Sequence, residues 1–219
     1  MPSLTRRHLI AGMACAGFCP SAYGAPRLPP GDALAFKVFL KDAEIGTHRL
    51  AFATEGDGFT VTIAVELVVR FGPIPLYRYR HHTVEQWQRS QFIALDSTTD
   101  DNGDAAHATI RREDDGSLTV DGSKSGRYRA PAEALPATHW NEAELSAPLI
   151  NPQDGKLFRP TVTDGGEEAV KDAAGASIPA RHFALSGDLA LDLWYDEHGL
   201  WQALRFASAS GAVLHYRRL

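Results

Sequence analysis

"FTVTIAVELVVR", residues Phe59 to Arg70, decides the fold class. The odd positions Phe59, Val61, Ile63, Val65, Leu67 and Val69 are apolar, whereas Thr60, Thr62, Ala64, Glu66 and Arg70 mostly face the other way. A period of two describes a half-buried strand, because successive side chains leave a strand on opposite faces. At about 3.3 Å per residue the run spans roughly 40 Å, longer than the usual strand. A strand of that length is expected in a strongly twisted and curved sheet.

Turn chemistry sets out its neighbours. Glu55-Gly56-Asp57-Gly58, Asp100-Asp101-Asn102-Gly103-Asp104 and Asp114-Asp115-Gly116 each separate two β-rich runs and read as hairpin turns. Strands are expected near residues 34–41, 46–54, 59–70, 76–88, 92–99, 105–112, 118–120 and 124–129, and in a second group near 180–185, 189–195, 200–207 and 212–217. The fold class is mainly β: a single curved antiparallel sheet, a half-barrel or incomplete barrel, with an irregular and partly helical cover. Residues 130–171 supply that cover, since Pro131, Pro136, Pro148, Pro152 and Pro160 leave room for only short helical turns near 132–135 and 141–145. A segment of this kind is either a plain cap over one end of the sheet or a lid, plug or binding loop. A second irregular piece, Phe71-Gly72-Pro73-Ile74-Pro75, exposes apolar side chains where two prolines are expected to interrupt pairing.

The amino terminus reads as an address. Arg6, Arg7 and His8 precede a short apolar run, Leu9 to Phe18, and Ala22, Gly24 and Ala25 form a small-residue exit. Residues 1–25 are thus expected to be a cleavable export signal and residues 26–219 one β domain. Thr5-Arg6-Arg7-His8-Leu9-Ile10 resembles the twin-arginine signal; an ordinary secretory signal containing two arginines is the alternative. Pro20 closes the run too early for a membrane span. Both cysteines, Cys15 and Cys19, fall in this segment, and neither sits in a good lipid-attachment context, so a core alone must stabilise the mature chain. The segment carries two arginines and no acid, so its removal makes a chain of formal charge −5 more negative still. Such a surface does not seek nucleic acid or anionic headgroups.

Recognisable catalytic and metal motifs fail one by one. His81 and His82 are adjacent and point to opposite faces of a strand, so they cannot chelate one ion together. His81 shares a face with Tyr77, Tyr79, Glu85 and Trp87. Asp100-x-Asn102-x-Asp104 mimics the start of a calcium loop, but Ala105 and Arg111 stand where glycine and glutamate are required. There is no mature cysteine nucleophile, no Gly-x-Ser-x-Gly, no phosphate loop and no His-Glu-x-x-His. No catalytic residue, metal or cofactor is assigned.

One cluster, Leu135-Pro136-Ala137-Thr138-His139-Trp140-Asn141, has two readings. Thr138 or Asn141 caps a short helix with Glu142 or Glu144 in its first turn. Alternatively His139 and Trp140 stand at the rim of a cavity. In the C-terminal strands Leu189, Leu191, Leu193 and Tyr195 share one face and Trp194 the other, and Trp201 is expected opposite Leu200, Leu204 and Phe206. Both faces therefore carry bulky apolar groups, as expected for a wall shared by a core and a ligand cavity, or for a core covered on both sides.

The stretches "FKVFLKDAEIGTHRLAF", "LYRYRHHTVEQWQ", "LPATHWN" and "LDLWYDEHGLWQALRF" resemble an uncharacterised family of exported proteobacterial β proteins with a domain of unknown function and a twin-arginine signal. More distantly, "LWYDEHGLW" is similar to a larger group of exported β proteins akin to the half-barrel lipoprotein and lipid carriers. The resemblance implies the fold and supplies no catalytic residues. The expected function is a soluble periplasmic binding protein or carrier for an apolar or amphipathic, lipid-like ligand, exported by the twin-arginine machinery. His139, Trp140, Asn141, Tyr79, Trp87, Trp194 and Trp201 are the expected lining. A periplasmic hydrolase or isomerase using His139, and an envelope assembly partner docking through residues 71–77, are the alternatives.

Overall fold

A computed structural model of the chain describes residues 26–208 and 211–219. The expected export signal lies outside the described residues. Alternating sequence becomes alternating burial: Val61, Ile63, Val65 and Leu67 are buried, while Ala64 and Glu66 are exposed. The strands are β1 (Ala33–Leu40), β2 (Ala43–Glu55), β3 (Gly58–Phe71), β4 (Ile74–Gln88), β5 (Gln91–Asp101), β6 (Asp104–Arg112), β7 (Leu118–Gly122) and β8 (Gly126–Ala130). After an irregular segment holding three two-residue strands, β9 (Leu135–Pro136), β10 (Leu149–Ile150) and β11 (Leu157–Phe158), the chain continues as β12 (Thr161–Lys171), β13 (Ser177–Ser186), β14 (Leu191–Tyr195), β15 (Trp201–Ala207) and β16 (Val213–Arg218).

Thirteen strands form one antiparallel sheet in the order β12-β13-β14-β15-β16-β1-β2-β3-β4-β5-β6-β7-β8. Every connection but one is a hairpin; the carboxyl-terminal strand β16 pairs with the amino-terminal strand β1 and joins the two groups. The sheet is not closed into a barrel, and β12 and β8 remain its edges. Both edges are protected in the usual way, β12 by Glu167, Glu168, Lys171 and a break in register at Asp164/Gly166, and β8 by its shortness and by Arg127 and Arg129.

Breaks in register bend the sheet. They occur at Val38/Phe39 between β1 and β2, at Gln86/Trp87 between β4 and β5, and at Trp194/Tyr195 between β14 and β15. Each bulge adds a residue to one strand and increases its twist. Gly46, beside the first of them, is required by contact: a Cβ there would lie 1.9 Å from the Glu66 carbonyl oxygen.

Two expectations need correction. The stretch predicted irregular as far as residue 171 ends at Pro160, and Thr161–Lys171 is strand β12. Its diad pattern is hidden because nearly every side chain of this edge strand is exposed and Gly165-Gly166 interrupt it. At the other irregular piece, β3 and β4 pair out to Phe71 and Ile74, with a register shift at Val69/Arg70 beside Pro75. The tip still exposes Phe71, Ile74 and Leu76. Among the described residues no helix is long and apolar enough to cross a membrane.

Candidate functional site: a cavity beside a plug

The irregular segment does not merely cap the sheet; it enters the concave face and fills one half of it. Trp140 stands edge-on to Phe52, Phe59 and Trp87, with ring centres 5.2, 5.9 and 5.3 Å away. Beneath the indoles lies Glu85, fully buried on the inward face of β4. One carboxylate oxygen of Glu85 accepts hydrogen bonds from the indole nitrogens of Trp87 (2.8 Å) and Trp140 (3.1 Å). Burial raises the Glu85 carboxyl to about pKa 7, against the pull of Thr138 and the two indoles. Farther along the segment, Ser97 donates to the Pro152 carbonyl and the Tyr128 hydroxyl to that of Gly155 (2.7 Å). Gly122 permits this seating, since a Cβ there would lie 2.2 Å from the Asp154 carbonyl oxygen.

The other half of the concave face is hollow. A cavity of about 780 Å³ lies between β1–β4 on one side and β14–β16 on the other, roofed by Ala137–His139 and residues 151–153. That volume is in the range of small-molecule sites. Its walls are Ile63, Val65, Leu67 and Val69 of β3, faced by Leu204, Leu214, Trp201 and Tyr216. Tyr77 and Asp101 mark one border, the tyrosine hydroxyl donating to the carboxylate at 2.6 Å. No lysine or arginine lines it among the described residues.

Three histidines interrupt the apolar lining. His81 is satisfied at both ring nitrogens, by the Thr99 hydroxyl (2.8 Å) and the Thr83 hydroxyl (2.7 Å). His48 is 7% exposed, ringed by Phe36, Trp201 and Tyr216, and neither of its nitrogens has a partner in the protein among the described residues. Burial lowers His48 to about pKa 3, with His139 and His81 adding charge repulsion, and lowers His81 to about 4, with a further contribution from His82. Both rings are neutral at pH 7.

His139 takes a left-handed backbone, φ 69°. That conformation is costly for a residue with a side chain, and here it is fixed from both directions. Glu144 accepts the His139 N–H at 2.7 Å, and the Tyr195 hydroxyl donates to the His139 carbonyl at 2.9 Å. The second carboxylate oxygen of buried Glu144 lies 3.2 Å from His139 Nδ1. Burial raises the Glu144 carboxyl, and the His139 contacts oppose the rise. Asn141 caps the following 3-10 turn, Glu142–Ser146, by accepting the Ala143 N–H at 3.1 Å. Asn141 thus realises the capping reading, and of the two residues in the cavity reading only His139 lines the cavity.

Of the expected lining residues, the structure brings His139, Tyr79 and Trp201 to the cavity. It places Trp140 and Trp87 in the filled half, where aromatic packing and Glu85 hold them. Asn141 is a buried cap and not a wall. Trp194 lies on the convex side with Ala180 and Ala203, stacked on His182 at 4.7 Å. Trp201 is corrected in face, for it lines the cavity together with Leu204 and Phe206. The bulge that pairs Trp194 with Ala203 but Tyr195 with Trp201 inserts Gln202 and reverses the phase. His48 was missed, although its phase with Leu50 and Phe52 in "HRLAF" marks a polar residue on the buried face. Among the described residues no group of three or more His, Cys, Asp or Glu is placed to hold a metal ion.

An open β-barrel-like sheet, plugged on one half of its concave face by its own chain and hollow on the other, is the class of protein that fold and site define. The chain belongs to the family described as domain of unknown function DUF6134, whose model matches residues 36–219. It is similar in fold to the crystal structure of a beta-barrel-like protein of domain of unknown function DUF1849 from Brucella abortus, with a TM-score of 0.61 and 14% identity over 89% of this chain and 98% of that one. No curated protein matches the sequence.

Proposed function

We propose that the protein binds and carries an apolar or amphipathic small molecule in the cavity between β3 and β15, after export to the periplasm through its twin-arginine signal. The single observation behind the reading is the 780 Å³ of internal space with a mostly apolar wall, kept open beside a tightly filled region of the same sheet face. A chain that needed only a core would gain by collapsing this space, because each apolar side chain left unpacked forfeits burial and dispersion. The twin-arginine reading rests on Arg6 and Arg7 ahead of a short apolar run. A second reading, a hydrolase or isomerase, is favoured by the pairing of His139 with buried Glu144 at the cavity roof, a base with an orienting carboxylate.

Native mass spectrometry of protein purified gently from the periplasm tests both. Carriage predicts an added lipid-sized mass, weakened in Val65→Trp, which narrows the cavity, and recovered unchanged on extraction. Recovery of cleaved or isomerised products, abolished in His139→Ala, supports the enzyme. A clean unliganded mass after repeated mild preparations overturns the carrier reading.

A further inference from the structure

The other two imidazoles and the carboxylate of the cavity wall each have a polar neighbour in the protein. His81 is saturated by two threonine hydroxyls, Asp101 accepts from Tyr77, and His139 Nδ1 faces Glu144. His48 alone lies on the wall with two unpartnered nitrogens, more than nine-tenths buried and enclosed by the rings of Phe36, Trp201 and Tyr216. Buried polar groups without partners are rare, because each bears its full desolvation cost. An imidazole in that state on a cavity wall is half of a hydrogen bond.

Building on the carrier reading, we infer that His48 is the headgroup anchor of the cavity and that the ligand is an uncharged, long apolar molecule carrying a hydroxyl group. Charge is disfavoured by the lining: among the described residues no lysine or arginine stands there to neutralise a carboxylate or phosphate, and the one carboxylate, Asp101, accepts from Tyr77 at the border. An ion seated beside the imidazole would be buried unpaired. A hydroxyl is the better match than a carbonyl, because a neutral imidazole offers one N–H and one lone pair. A group that both donates and accepts pairs with whichever nitrogen faces it, in either tautomer. The aliphatic wall of β3 then takes the chain.

The test compares 1-dodecanol, dodecane, dodecanoate and dodecyltrimethylammonium as displacers of bound N-phenyl-1-naphthylamine, in the intact protein and in His48→Phe. The expected result is a loss of roughly tenfold or more in dodecanol affinity in the variant, with dodecane unchanged and both ions weak in either protein. Equal dodecanol affinity in the two proteins, or an ion binding more tightly than the alcohol, overturns the anchor while leaving the carrier reading intact. Failure of all four probes to bind the intact protein overturns both. If His48→Phe does not fold, the His48 ring nitrogen resonances of the intact protein decide: dodecanol shifts them and dodecane does not, and equal responses count against the anchor.

Discussion

The two halves of the concave face share strands β2–β4 and meet opposite fates. Around Glu85, Trp87 and Trp140 the space is occupied by the chain's own irregular segment, and one Glu85 oxygen is paired with an indole of that segment across it. Around His48, Val65 and Trp201 a hollow remains, and among the described residues the imidazole has no partner. The difference teaches that curvature alone does not make a binding site here. A sheet bent this far encloses more volume than its side chains fill, and the site is what the plug leaves over.

The largest break in this contrast comes from removing the plug's anchor. Trp140→Ala opens a void among Phe52, Phe59 and Trp87 and strips Glu85 of a donor, so an unfolding free-energy loss of about 3–5 kcal/mol is expected. Val65→Ala in the cavity wall merely enlarges existing space, and a loss of about 1 kcal/mol is expected. Denaturant titration of the two variants checks the ratio; equal losses would mean that the halves are packed alike.

How far each half was legible follows from what period-two reading can and cannot see. It placed twelve of the strands and the shared face of Tyr79, His81 and Glu85 on β4, and offered Asn141 as one of two caps, because each depends on neighbours in sequence. It missed β12, whose edge position removes the burial that writes the pattern. Trp201 was set on the wrong face because one bulged residue, Gln202, inverts everything beyond it. Trp140 was expected at the cavity because no local pattern states which half of a bent sheet a distant loop will fill. Its partner Glu85 is 55 residues away in sequence.

The halves also titrate in opposite directions. Glu85 has its folded pKa raised from 4.5 to about 7, so the folded state holds the extra proton, and its contribution to stability falls as pH rises from about 4.5 to 7. His48 and His81 have folded values lowered from 6.5 to about 3 and 4, so the unfolded state holds the extra protons and stability falls as pH drops below 6.5. Glu85→Gln keeps an oxygen for the two indoles and cannot ionise. Its stability relative to the unsubstituted protein is expected to rise from pH 4.5 to 7, by on the order of 3 kcal/mol. A flat difference across that window would show that Glu85 ionises freely in place.

The smallest effect separates the halves most directly, because it adds volume instead of removing it. Ala108 is fully buried on β6, in the plugged half, so Ala108→Leu has to displace neighbours that are already in contact. Overpacking of that kind costs about 1–3 kcal/mol. Val65→Phe projects its added ring into the cavity, where the extra atoms meet open space and displace no packed neighbour. That variant is expected to stay within about 0.5 kcal/mol of the parent, a size ordinary for substitutions that neither overpack nor open a void. Paired thermal melts measure the difference. A loss at Val65→Phe as large as that at Ala108→Leu would show that the wall of β3 has no room beside it, and would count against the cavity as a binding site.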